Sequence, residues 1–126
     1  MNRKKSFVLT KNDRKAARLF AELGMSKNLA KTLMYLSHVD KCYSADIEQG
    51  ANLRQPEVSL VMQELRRKKW IKKRPLKKKG KGRPRNVYKT TTHLSEILND
   101  FEQEKLEEVE GIKDDISELK NLIESR

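Results

Sequence analysis

The chain has 126 residues, room for one compact domain and one further long helix. Its apolar share is 36% against a charged share of 37%, below the roughly 45–50% apolar of an ordinary globular domain, so the core is small and part of the chain is expected to cover its apolar face against a partner. A single cysteine, Cys42, excludes a disulfide scaffold, and no stretch is apolar enough to span or insert into a membrane, so an intracellular protein is expected.

The net charge of +11 is unevenly placed. Residues 1–93 carry 25 Lys and Arg against 7 Asp and Glu, whereas residues 94–126 carry 4 against 11. A strongly basic body calls for a polyanionic partner, and nucleic acid fits that better than a membrane surface. The acidic remainder needs a separate role.

Taken in chain order, residues 1–11 read as a basic arm. Thr10 or Asn12 is a candidate cap for a first helix, whose stripe is Ala16, Ala17, Leu19, Phe20 and Leu23 and which Gly24 ends. Ser26 can cap a second helix with Leu29, Ala30, Leu33, Met34, Leu36 and Val39 on its apolar face. Cys42-Tyr43 is a short extended piece. Ser44 is then the expected cap of a third helix, Ala45 to Gln49, with Gly50 as its stop. After a tight turn at Leu53-Arg54-Gln55, Pro56 suits the first turn of a fourth helix running to about Lys68, with Val58, Val61, Met62 and Leu65 inward. Trp70 to Lys77 and Arg85 to Thr90 alternate as two strands around a turn containing Gly80, Gly82 and Pro84. Thr92 can cap a last helix that continues to the end of the sequence.

This order predicts a mainly α fold with a small β-hairpin: a winged helix-turn-helix domain over residues 12–91 and a C-terminal dimerisation helix over 92–126. In Ser44 to Lys69, a short helix, a turn and a longer helix of polar N-terminus form the helix-turn-helix spacing, which lets the second helix enter the major groove of DNA. Arg54, Gln55, Ser59, Leu60 and Gln63 are the expected base contacts: Arg suits guanine, Gln suits adenine, and an apolar side chain suits the thymine methyl. The plainer role for Gln55 and Ser59 is capping and solvation of the helix. Residues 66–85 hold 13 Lys or Arg in 20 positions and no acid. Arg66, Arg67, Lys78, Lys79, Lys81, Arg83 and Arg85 are expected to grip the phosphate backbone, with Arg83 able to enter the minor groove.

The stretch Ala45-Asp46-Ile47, Pro56-Glu57-Val58-Ser59, Glu64 to Ile71 and Gly82-Arg83-Pro84-Arg85-Asn86-Val87-Tyr88 resembles winged-helix regulators of the MarR and TrmB type, over roughly residues 26–91. The resemblance implies transcriptional regulation by a homodimer, and the compact size is similar to small archaeal regulators of this group. Two departures stand out. Lys69 occupies a position that is often glycine in such proteins, and the larger TrmB-like regulators carry a sugar-sensing domain for which this chain has no room. No small-molecule effector or cofactor is evident.

In the last helix, Leu98 and Phe101 precede Val109, Ile112, Ile116, Leu119 and Ile123, whose 3, 4, 3, 4 spacing is a heptad seam with Gly111, a weak helix former, inside it. These residues are the expected homodimer contact. His38, Cys42 and His93 are too thin a set for a metal site, and no nucleophile–base grouping or phosphate-binding glycine loop occurs, so neither metal nor catalysis is expected. The expected partner is double-stranded DNA in the cytoplasm, at the nucleoid. Two other readings remain open: a winged-helix protein-interaction module, and a non-specific chromatin-like or RNA binder.

Overall fold

The computed structural model describes residues 9–76 and 85–126, and divides into two units after Leu94. In the first unit, α1 (Lys11–Glu22) and α2 (Lys27–Leu36) lead to a three-residue strand, β1 (Lys41–Tyr43). The helices α3 (Ser44–Ala51) and α4 (Gln55–Arg67) follow, then strands β2 (Ile71–Leu76) and β3 (Arg85–Thr90). The second unit is one helix, α5 (Leu94–Glu124), of 31 residues. The expected basic arm over residues 1–8 and the expected hairpin-tip residues Lys78, Lys79, Lys81 and Arg83 lie outside the described residues, as does the side chain of Arg85.

Each helix of the first unit starts on a reciprocal or side-chain cap. Thr10, rather than Asn12, caps α1: its hydroxyl accepts from the Asp13 N–H at 3.1 Å, and the Asp13 carboxylate accepts from the Thr10 N–H at 2.9 Å. Leu9, placed in the basic arm by sequence, is buried just ahead of this cap. Ser26 accepts from the Leu29 N–H at 3.2 Å and opens α2. Ser44 was expected to cap α3 but is its first helical residue, because the Asp46 carboxylate takes the N–H of Tyr43 at 2.9 Å and fixes the start one residue earlier. At α4 the Arg54 N–H donates to Glu57 at 2.8 Å, and Pro56 sits in the first turn, where its missing N–H costs nothing. The helix α5 begins at Leu94, so Thr92 is not adjacent to it; the neighbouring Thr91 hydroxyl donates instead to the Lys69 carbonyl at 2.7 Å.

Helix ends follow the backbone chemistry of left-handed residues. Gly24, at φ 109°, ends α1 as expected. Gly50 does not end α3. The helix runs through it to Ala51, and Asn52, at φ 58°, provides the left-handed cap while the Leu53 N–H donates to the Glu48 carbonyl at 3.0 Å. Gly50 serves a different purpose: a β-carbon there would lie 2.1 Å from a ring carbon of Tyr35, which is 1% exposed. Lys69, at φ 67°, adopts the conformation that a glycine takes freely, and the Trp70 N–H reaches the Leu65 carbonyl at 3.1 Å to close α4.

The core of the first unit is centred on α2, where Leu29, Ala30, Thr32, Leu33, Met34, Tyr35 and Leu36 are all buried. Ile47 of α3 and Val58, Met62 and Leu65 of α4 complete it, each at most 2% exposed. On α1 only Ala17 and Phe20 of the expected stripe are buried; Leu19 and Leu23 are about half exposed. Val39 lies past the end of α2 and is half-buried. The expected hairpin is part of a three-stranded antiparallel sheet in the order β1-β3-β2, because Cys42 pairs with Tyr88 as Lys73 does from the other side. Pro75 falls on the edge strand β2, where its absent N–H breaks no ladder.

Asp13 is 5% exposed and lies 2.9 Å from Nε2 of His38, which follows α2, so the α1 cap is also the tie between α1 and the far end of α2. Burial pushes the Asp13 carboxyl up, but the hydrogen bonds from His38 and from the Thr10 backbone and hydroxyl, with the imidazolium charge, outweigh it and leave the pKa lowered.

Two outcomes follow from these contacts. Gly50→Ala is expected to lose about 2 kcal/mol or more of stability in urea denaturation, since the added β-carbon would overlap the buried Tyr35 ring and force it to shift. The Asp13 contribution is fully present above the ordinary aspartate value of 3.8 and is lost as pH falls through the lower folded-state value. Denaturation midpoints of the parent are therefore expected to fall in that acid range more steeply than those of Asp13→Asn.

Candidate nucleic-acid interface

The inward stripe of α4, Val58, Val61, Met62 and Leu65, is fully buried, which turns the remaining faces of this helix to solvent. Arg54, Gln55, Ser59, Leu60, Gln63, Arg66 and Arg67 are all exposed, as the periodicity predicts. Their directions differ. Gln55, Ser59, Gln63 and Arg66 line a concavity of about 280 Å³ between α4 and the two strands, whose floor is Val58, Met62 and Tyr88. Leu60 and Arg67 are not part of it. Leu60 is 68% exposed, and Arg67 pairs with Glu64 one turn back on the same helix.

Three further residues complete the concavity: Ser44 at the start of α3, Lys73 of β2 and Asn86 of β3. None of the three is expected from sequence as a DNA contact: Ser44 reads there only as a helix cap. Lys73 and Asn86 are brought beside α4 by strand pairing, in which Lys73 opposes Tyr88 and Asn86 opposes Pro75. Lys73 belonged to a charge run without internal distinction, and only the alternation of the strands could have separated it from its neighbours. No carboxylate lines the concavity, whereas Arg66 and Lys73 supply two cations. Such a surface offers hydrogen-bond donors and positive charge to an anionic, hydrogen-bonding ligand, and it is flanked by an exposed leucine that offers apolar contact.

The aromatic residues are poorly placed for stacking on bases. Trp70 is 4% exposed, with Lys68 Nζ lying 5.1 Å from its ring centroid. Tyr88 is buried and Tyr43 half-buried. Cys42 is buried too, and burial together with the nearby Asp46 charge pushes its thiol up to about 12, so it stays protonated at neutral pH. His38 is engaged with Asp13. Among the described residues no group of three His, Cys, Asp or Glu is placed to hold a metal ion, and no helix is long and apolar enough to cross a membrane.

In α5, Ile97 and Phe101 are buried, with Lys105 Nζ 5.3 Å from the Phe101 ring centroid. Phe101 thus differs from the rest of the seam with which the sequence grouped it. Leu98, Val109, Ile112, Ile116, Leu119 and Ile123 are between 45% and 58% exposed. Leu106 and Leu122, not singled out by the heptad spacing, are exposed beside them.

No family model matches the chain, and no curated protein matches it. Solved structures do. A transcriptional regulator aligns at a TM-score of 0.52 and 13% identity over 64% of this chain and 53% of its own length. TrmBL2, an archaeal chromatin protein, aligns at a TM-score of 0.57 and 21% identity over 87% of this chain and 41% of its own length. A weaker likeness, at a TM-score of 0.48 and 21% identity, covers 91% of both this chain and the Staphylococcus aureus MepR of a MepR–DNA complex. The chain spans about half the length of the first of these proteins and less of the second. The helix order, the three-stranded sheet and the likenesses to the transcriptional regulator and to TrmBL2 establish the winged helix-turn-helix fold.

Proposed function

We propose that the chain binds double-stranded DNA in a sequence-specific manner, as a homodimer, and regulates transcription. The observation that carries this reading is the solvent face of α4: a polar N-terminal end with Arg54, Gln55 and Ser59, an exposed Leu60, and beside them an acid-free concavity holding Arg66 and Lys73. In this reading α4 enters the major groove. Arg54, Gln55 and Ser59 contact base edges, Leu60 a thymine methyl and Gln63 a base or sugar. Arg66 and Lys73 neutralise phosphates alongside. Arg67, Lys78, Lys79, Lys81, Arg83 and Arg85 add positive charge in the same stretch of sequence. The heptad face of α5 joins two copies, and no cofactor or effector takes part. The site of action is the nucleoid of the cytoplasm.

The likeness in fold to a transcriptional regulator supports the regulatory part. A second reading, an architectural binder that grips DNA without regard to sequence, is favoured by the likeness to an archaeal chromatin protein and by the balance of 25 basic to 7 acidic residues in positions 1–93. Single-strand or RNA binding is disfavoured, because Trp70 and Tyr88 are buried.

Fluorescence anisotropy over a salt series separates the two readings. The duplexes are the DNA upstream of the chain's own gene and a shuffled version of it. The parent is expected to prefer the first by about a thousandfold. Gln55→Ala should cost about 1–3 kcal/mol of that discrimination with the salt slope unchanged. Lys73→Ala should weaken both duplexes alike and make the logarithmic salt slope shallower by about 0.9. Equal binding to both duplexes, insensitive to Gln55→Ala, supports the architectural reading instead.

A further inference from the structure

The apolar stripe of α5 has a chemistry that specifies more than pairing. With Val109 as position a of a heptad, the a positions are Val109, Ile116 and Ile123 and the d positions Ile112 and Leu119, all 45–58% exposed in the single chain. Branching at the β-carbon in every a position with Leu119 at one d position suits two strands, whereas Ile112 at the other d position suits three or four, so the flanking charges decide the pairing. Gly111 falls at position c on the outer face, where an added β-carbon would meet nothing within 4 Å, so it provides no close backbone approach. The seam is therefore formed by side chains.

The flanking positions fix direction. Between residues 108 and 120, position e holds Lys113 and Lys120 and position g holds Glu108 and Asp115, while the exposed Leu106 at e and Leu122 at g flank this charged segment. Side by side in the same direction, position g of one helix meets position e of the other five residues on: Glu108 faces the partner's Lys113, and Asp115 faces the partner's Lys120. Run in opposite directions, g meets g and e meets e, so carboxylates oppose carboxylates and lysines oppose lysines. The acids of the outer positions, among them Glu107, Glu110, Asp114 and Glu118, face solvent in both arrangements. Of the e and g lysines, Lys113 makes a surface contact to Glu110 on its own helix at 3.6 Å with 68% of its side chain exposed, which leaves it accessible to a second helix.

We infer that the partner of this face is a second copy of the chain, paired through α5 in parallel and in register. The self-complementary charges are what select a second copy: acid and base sit on opposite flanks of the same seam, an arrangement that a different partner would not require. The inference rests on the homodimer reading above and adds its direction. It has a consequence for recognition. The first unit joins α5 at its N-terminal end, so a parallel pair attaches both DNA-binding units at the same end, as two neighbouring half-sites require.

Two single substitutions in the full chain, Val109→Cys and Ile123→Cys, test this. The natural Cys42 is 5% exposed, and the parent is the control for its silence. In a glutathione redox buffer, a parallel in-register pair links each variant to itself, and a mixture gives no link between the two kinds. An antiparallel pair packs a positions against d positions and carries residues 109 and 123 far from their own copies, so neither variant links to itself while sedimentation equilibrium still shows a dimer. That result overturns the inference and leaves the homodimer standing. Failure of every combination, with a monomer in sedimentation equilibrium, overturns the homodimer reading as well. A second variant leaves the apolar seam intact: Lys113→Glu with Lys120→Glu should raise the dimer dissociation constant about tenfold. Adding Glu108→Lys and Asp115→Lys to it should restore the parent value. An unchanged constant in the first of these contradicts parallel pairing.

Discussion

The Tyr35 ring lies against Gly50 so closely that no β-carbon fits between them, and the position of α4 depends on that contact. Tyr35 belongs to α2, whose surface is buried almost all round, and Gly50 lies one residue before the end of α3. Only three residues, Asn52, Leu53 and Arg54, separate α3 from α4. Wherever α3 is seated against α2, α4 must follow within that short connection. Asn52 in the left-handed conformation sets the turn, and Leu53, buried, anchors it. Closed this way, the helix buries Val58, Val61, Met62 and Leu65 and has no choice but to present its polar faces outward.

The interface therefore has its geometry from packing and its chemistry from what packing leaves over. The sheet contributes the other wall. Strand pairing of β3 with both β1 and β2 holds Lys73 and Asn86 beside Gln55, Ser59, Gln63 and Arg66. Positive charge inside a concavity without carboxylates acts on a phosphate at short range, whereas the many lysines of the surface act through salt-screened attraction. Leu60, 68% exposed on the open side of α4, stands apart from both. The proposed division of labour follows from that arrangement: phosphate contact within the groove, base contact along its rim and at the outer face.

Much of this was legible in the sequence, because short-range chemistry governs it. Ser26, Gly24 and Pro56 act where local rules place them, and the inward faces of α2 and α4 follow from their 3.6-residue period. What the sequence concealed depends on contacts distant in the chain. Gly50 reads locally as a helix stop, and only the Tyr35 ring reveals it as a close-packing position. Cys42-Tyr43 reads as a short extended piece, and only its pairing with Tyr88 and Val87 makes it a third strand of the sheet. Asp13 reads as a first-turn acid, while its bond to His38 spans 25 positions. Ser44, which reads only as a cap, and Lys73 and Asn86 gave no sign of lining a groove, since a groove lining is a property of the assembled surface. In α5 the heptad period was plain, yet Phe101 shared its face and is buried, whereas Leu106 and Leu122 lay outside the strict repeat and are exposed.

Paired as proposed, two such units would constrain the DNA as much as the protein. A recognition helix on each copy, joined by a two-fold interface, demands a target whose halves are related by the same symmetry and lie about one helical turn apart. The direct measurement is a selection of bound duplexes from a random pool by the full chain, followed by hydroxyl-radical footprinting of the recovered sequences. The account predicts an inverted repeat with half-site centres about 10 base pairs apart and protection of both halves. Recovery of duplexes with no shared motif, or of a single unrepeated site protected on one side, would contradict it.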